Sequence, residues 1–143
     1  MADMFSPEKR SQIMSRIRSK DSQAEQIVFK YLRQNKKYFQ KHYSKAPGKP
    51  DLALPRKKKA VFIDGDFWHG RDFDRIVKSR PAGDYWISKI QYNVDRDREQ
   101  REFLLSKGWN ILAVWESDIK RKRTRDNELK RIKNFLEVLN ESK

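Results

Sequence analysis

Apolar positions along the chain fall into segments with different spacings. Ala24, Ile27, Val28, Tyr31 and Leu32 recur at the i, i+3, i+4, i+7, i+8 spacing of one helical face. Ser22 and Glu25 form an S-x-x-E capping box at its start, and the helix is expected to end near Gln34, before Lys36-Lys37. Two short runs follow, Asp51-Leu52-Ala53-Leu54 and Lys59-Ala60-Val61-Phe62-Ile63; Arg56-Lys57-Lys58 between them predicts a β-hairpin. Asp64-Gly65-Asp66 breaks the second strand, and residues 70–83 read as a loop with a turn at Pro81-Ala82-Gly83. Asp84 is placed to cap a long helix running to about Lys107 and closed by Gly108. Trp109 to Trp115 is largely apolar and predicts a buried strand, while Leu129, Ile132, Leu136 and Leu139 mark a last amphipathic helix. Upstream, Ser6-Pro7-Glu8 opens a helix with only Ile13, Met14 and Ile17 to bury, so residues 1–20 read as an arm that a partner orders. The order predicts one α/β domain over 1–143, a small mixed sheet flanked by helices.

Composition narrows the partner. Lys and Arg number 34 against 20 Asp and Glu, a net charge of +14, and 38% of residues are charged. No apolar run is long enough to span a membrane, and no secretory signal pattern is present, so a cytoplasmic protein binding a polyanion is expected. Nucleic acid is the natural choice. Zero cysteines and two histidines exclude disulfides, a thiol nucleophile and a thiolate zinc site. Basic surface alone implies binding, not chemistry.

The acidic residues carry the chemical signal. Asp97 falls in an apolar seam of the long helix with Ile87, Ile90, Val94 and Leu104, where either a structural pair with Arg101 or a functional role would account for a carboxylate. Trp86, Ile90, Asn93 and Asp97 line up on that helix. Pro50-Asp51 heads one strand of the hairpin and Asp64-Gly65-Asp66 ends the other, a grouping able to gather hard oxygen ligands for Mg²⁺. Simple pairing around an Arg56-Lys57-Lys58 turn sets Asp51 opposite Ile63, putting the Ile63 backbone carbonyl beside an Asp51-bound metal and turning Asp64 to the other face as an outer acid. Phe67 and Trp68 after the strand end suit either a core or base stacking, and His69 beside them suits a general base.

Taken together, Pro47-Gly48-Lys49-Pro50-Asp51, the run Val61 to Gly70 (V-F-I-D-G-D-F-W-H-G), Trp86 with Lys89, Asn93 and Asp97, and Gly108-Trp109 through Val114-Trp115-Glu116 resemble the very short patch repair (Vsr) DNA mismatch endonucleases. The resemblance covers nearly the whole chain, from Arg10 to about Leu139. It implies a restriction-endonuclease-like, three-layer fold of the PD-(D/E)xK type and Mg²⁺-dependent nicking of one strand of double-stranded DNA beside a T:G mismatch. Carried over, Asp51 would bind metal, His69 would be the general base, and Glu25 and Asp97 would be supporting acids. Phe67, Trp68 and Trp86 would stack into the duplex, Met14 would enter from the minor groove on the arm, and Ile17, Lys89 and Asn93 would face the mispaired bases. A mismatch-repair partner of the MutL type also follows from the resemblance.

Departures from the family pattern are specific. The positions of the family's zinc ligands look like Asp66, Arg71, Phe73 and Ser117, none of them thiolate or imidazole, so no zinc is expected and packing or charge pairing must hold the loop after His69. A family histidine is replaced by Asp64. Glu25 is claimed both by the capping box and by the site. Three functions compete: a mismatch nickase, a related nickase or defence nuclease without strict mismatch preference, and a non-catalytic DNA-binding module, which would have no need of Asp51, His69 and Asp97 together.

Overall fold

The computed structural model describes residues 22–138 other than Ala82; the expected arm with Met14 and Ile17, and Leu139, lie outside the described residues. Helix α1 spans Gln23–Gln34. Its capping box closes both ways: Ser22 Oγ accepts from the Glu25 N–H and Glu25 Oε1 accepts from the Ser22 N–H, each at 3.3 Å. The predicted stripe buries Ala24, Val28 and Leu32, and Phe29 joins them.

Four strands, β1 (Gln40–Lys41), β2 (Leu52–Leu54), β3 (Lys59–Asp64) and β4 (Asn110–Trp115), lie in sequence order across one mixed sheet. The first three are antiparallel neighbours, and β4 runs parallel to β3. A parallel pair needs a long crossover, and helices α2 (Phe73–Ser79) and α3 (Tyr85–Ser106) lie along it. Asp84 caps α3 as expected, accepting from the Trp86 N–H at 2.8 Å, and Gly108 follows its end at φ +86°. Helices α4 (Glu116–Lys120) and α5 (Lys122–Glu137) complete the chain.

Alternation along β3 splits the core in two. Val61 and Ile63 pack with Leu52 and Val114 against α1, α4 and α5, through Val28, Ile119 and Ile132. Ala60 and Phe62 pack on the other face with Leu104 of α3. Helices therefore cover both faces, and Asp64 shares the α3 face. A separate aromatic cluster of Trp68, Trp86 and Ile90 holds the loop after β3 onto α3.

Four expectations need correction. The hairpin register is one residue off: Leu52 pairs with Val61 and Leu54 with Lys59, so Phe62 rather than Ile63 stands across from Asp51. The turn is longer than expected because Pro55 opens a 3-10 turn, Pro55–Lys57, and Lys58 closes it at φ +53°. Residues 70–83 are not all loop, since Phe73 and Ile76, one turn apart on α2, pack against the Trp68–Trp86 cluster. Strand β4 is at the sheet edge, and only Val114 of it is buried. Lys59, at the start of β3, is 2% exposed; its ammonium donates to the carbonyls of Phe135 (2.7 Å), Leu136 and Val138, capping α5.

Candidate active site

Proline places the first acid. Extending the β2–β3 register by two steps sets Pro50 opposite Ile63, and proline has no N–H to continue the ladder. The Pro50 carbonyl instead accepts from the Tyr43 N–H at 3.1 Å. Asp51 fills the gap: its Oδ2 accepts from the Ile63 N–H at 2.6 Å. Burial pushes the Asp51 carboxyl up to about 7, with Glu25 and Asp64 adding to the rise against the Ile63 hydrogen bond and the charge of His69. Asp51 thus sits among acids that do not neutralise it.

Glu25 meets both of its claims by dividing its oxygens. Oε1 serves the cap, while Oε2 lies 2.5 Å from His42 Nε2. His42 had no role in the sequence reading. It sits at φ +52°, its N–H donates to the Asp51 carbonyl at 2.8 Å, and its ring meets Phe29 edge-on. Only the β1–β2 pairing brings it beside Glu25, so no local sequence signal marks it.

The second half of the site lies between the end of β3 and the middle of α3. His69 Nδ1 is hydrogen-bonded to Asp97 Oδ2 and stands 3.8 Å from Asp64 Oδ1. Burial alone would lower the His69 pKa, but the Asp97 hydrogen bond and the charges of Asp64 and Asp97 raise it. Asp97 goes the opposite way: burial is outweighed by His69 and nearby arginines, and its pKa is lowered. Arg101 bonds Asp64 at 2.8 Å rather than Asp97, and its guanidinium stacks 4.3 Å from the Phe62 ring. Asp97 keeps its histidine on Oδ2, while Arg96 stands 3.6 Å from its Oδ1. A cleft of about 260 Å³ opens here, lined by Asp64, His69, Asp97, Arg98 and Arg101. Arg98 and Arg101 bring the fork geometry that suits a phosphate, and the sequence reading had assigned neither to substrate.

Gly70 makes the approach of the His69 loop to α3 feasible. It holds φ +70°, and a Cβ there would lie 2.8 Å from Val94 Cγ2. Of the aromatics expected to stack on bases, Trp68 and Trp86 are 7% and 3% exposed and pack on one another at 5.0 Å between ring centroids. Phe67 is 36% exposed and meets Trp68 edge-on. Asn93 is buried with its amide donating to the Trp68 carbonyl at 3.0 Å, and Lys89 lies over the exposed Tyr92 ring at 5.5 Å. Asn93 is thus engaged by protein, whereas Lys89 is only partly buried.

Asp66, Arg71 and Ser117 converge beneath this loop. Asp66 accepts from the Ser117 N–H at 3.0 Å and from Ser117 Oγ at 2.5 Å, while Arg71 donates to Asp66 at 3.2 Å and to Ser117 Oγ at 3.0 Å. Phe73, the fourth position singled out with them, packs instead against the Trp68 cluster. Among the described residues no three histidine, cysteine or acidic side chains are grouped as a metal cage.

The family model for the DNA mismatch endonuclease Vsr matches residues 2–75. The chain is 38% identical over 119 residues to the type II nicking enzyme V.HpaIIP of Haemophilus parainfluenzae, covering 82% of this chain and 84% of that protein. It is 35% identical to the type II nicking enzyme V.XorIIP of Xanthomonas oryzae (83% and 88% covered). To the DNA mismatch endonuclease Vsr of Escherichia coli it is 30% identical, with 81% and 74% covered.

Proposed function

Because the chain belongs to the Vsr family of DNA endonucleases, we propose that it nicks one strand of duplex DNA beside a T:G mismatch, using Mg²⁺. The observation that carries this reading is the His69–Asp97 pair facing a cleft with two arginines, next to the raised carboxylate of Asp51. The fuller fold reading, a restriction-endonuclease-like PD-(D/E)xK core, is supported by the mixed sheet with acids at one end of β3.

The donors fit a small hard cation. Burial and the charges of Glu25 and Asp64 outweigh the Ile63 hydrogen bond and the charge of His69 at Asp51, and Mg²⁺ favours one or two carboxylates with waters and phosphate oxygens over a full protein cage. Asp51 and the Ile63 carbonyl would hold it. A strand residue aims its N–H and C=O at the same neighbour, and here that neighbour, Pro50, offers no N–H. When bound, the cation supplies charge stabilisation at the phosphate and a more acidic water.

His69 has the orientation of a general base. With Nδ1–H given to Asp97, its Nε2 is left to take a proton from water as that water attacks phosphorus. The opposite P–O ester bond breaks, and the departing sugar oxygen takes a proton from solvent. Asp97 fixes the ring and stabilises the imidazolium that forms. Arg98 and Arg101 bind the phosphate, Arg101 held in place by Asp64. Glu25, turned by His42, and Asp64 are supporting acids.

Binding is assigned to Phe67, Trp68 and Trp86 as a stacking wedge, to Lys89 and Asn93 on α3, and to the arm at 1–20 through Met14 and Ile17. Insertion of Trp68 or Trp86 requires the closed aromatic cluster to open on DNA. A MutL-type partner rests on family resemblance alone. Nicking is favoured over double-strand cleavage because several relatives are named nicking enzymes. The test is a panel of T:G-mismatched and fully paired duplexes with and without Mg²⁺, with Asp51→Ala as control. Nicking of the T:G strand alone, lost in the variant, is expected. Equal nicking of paired duplex would remove the mismatch assignment, and nicking by Asp51→Ala would remove the site.

A further inference from the structure

The segment between β3 and α2 carries both His69 and Phe67, yet it has little apolar anchorage beyond Trp68. Its only extensive tie to the far side of the site, among the described residues, is polar. Asp66 accepts from the backbone and hydroxyl of Ser117, Arg71 donates to Asp66 and Ser117, and Arg71 also pairs with Asp118 at 3.1 Å. The Arg71 guanidinium lies 5.5 Å from the Trp115 ring. These partners span the end of β4 and the first turn of α4, the elements that border the His69 cleft through Trp115. Within the loop, Arg71 N–H bonds the Asp66 carbonyl at 2.9 Å and His69 N–H bonds the Gly65 carbonyl at 3.1 Å, so Asp66 and Arg71 bracket His69 as one closed turn.

We propose that Asp66, Arg71, Ser117 and Asp118 form a charged clasp that holds His69 against Asp97, with Asp66 and Arg71 as positioning residues for the reaction. The proposal rests on the nuclease reading only for its activity readout. The three acceptors converge on one nitrogen, Arg71 Nη1, while the guanidinium plane lies against the Trp115 ring; an ammonium could sit among the acceptors but lacks the flat face that meets the ring. Asp66 is needed because its two oxygens serve both Ser117 and Arg71. The clasp is half-exposed, so its effect should be on the alignment of one loop rather than on global stability. Misplacing a catalytic group by about 1 Å costs about 100-fold in rate, which sets the scale expected.

Single-turnover nicking of a T:G duplex at saturating enzyme and Mg²⁺ isolates alignment from affinity, and amide hydrogen exchange over residues 65–72 reads the loop without activity. Asp66→Ala and Arg71→Ala should lose about 10–100-fold in single-turnover rate, keep the wild-type affinity for the duplex and the wild-type melting temperature, and exchange His69 and Arg71 amides faster. Asp66→Asn, which keeps an acceptor for Ser117, and Arg71→Lys should fall between the alanine variants and wild type. Arg75→Ala is the control: it breaks an exposed pair with Asp72 next to the same loop but outside the clasp, and should leave rate and exchange unchanged. Rates within twofold of wild type in both alanine variants would overturn the proposal, as would rate losses that only track lost folded protein. If the alanine variants do not fold, the asparagine and lysine variants decide on the same criteria. If wild-type protein does not nick, the nuclease reading fails, and the exchange comparison alone decides whether the clasp exists.

Discussion

Asp51 answers two demands that oppose one another. As the proposed ligand it would have to be ionised, but its burial beside Glu25 and Asp64 raises its pKa from 3.8 to about 7. The folded state therefore holds a proton that the unfolded chain releases between about pH 4 and pH 7, and stability falls as pH rises through that window. Asparagine keeps an oxygen for the Ile63 N–H and carries no charge. Asp51→Asn should stabilise the metal-free protein by about 1–4 kcal/mol at about pH 8 and much less at about pH 5, while abolishing nicking. Thermal melts at the two pH values check this, and equal shifts at both would contradict it. His69 gives a second dependence on pH: its pKa is raised above 6.5 by Asp97 and Asp64, so nicking should rise as pH passes above that value. Asp97→Asn should move the acid limb to lower pH and cut the maximal rate by about 10²–10⁴-fold; an unmoved limb in the rate profile would dissociate Asp97 from His69.

At the scale of elements, the loop and α3 share an aromatic cluster that holds the fold and that the proposed function also brings to DNA. Trp68 is nearly buried, so Trp68→Ala should destabilise by about 3–5 kcal/mol and cannot report on DNA alone. Phe67 is the more exposed ring. Phe67→Ala should cost little stability and about 1–3 kcal/mol of duplex affinity, larger for mismatched than for paired DNA. Calorimetric melts and equilibrium binding separate the two effects. The elements themselves were legible where the chain carried its own punctuation: the Ser22–Glu25 box, Asp84 and Gly108 each mark an end that the structure keeps. Helix α2 was not, because only Phe73 and Ile76 declare its face. The hairpin register turned on whether Pro55 belonged to strand or turn, a choice local residues leave open. The pairing of His69 with Asp97 was foreshadowed by a carboxylate in an apolar seam. His42 was not, since its partner is 17 residues away and only the sheet brings them together.

For the whole molecule, the excess of positive charge is unevenly useful. Arg121, Lys122 and Arg123 are exposed and follow the end of β4, the same end of the sheet as Asp64. Lys36, Lys37, Arg56 and Lys57 line a groove of about 770 Å³ at the opposite end of β3. Replacing Arg121, Lys122 and Arg123 together by alanine should weaken mismatched and paired duplexes alike and flatten the salt dependence of binding by about one to three phosphate contacts. The same change at Lys36, Lys37 and Arg56 should alter the slope less, and filter binding over a salt series distinguishes the two ends.

Lys59 ties this arrangement to α5. It lies on β3, the strand that ends in Asp64, yet the carbonyls that receive its ammonium come from Phe135, Leu136 and Val138. Without those carbonyls the ammonium must either turn out to water, unpacking that end of β3, or stay buried without partners at a cost of several kcal/mol. The strand that ends in Asp64 is thus completed by the last turn of α5. Damage to the last turn of α5 is therefore felt in β3, far along the chain from the residues lost.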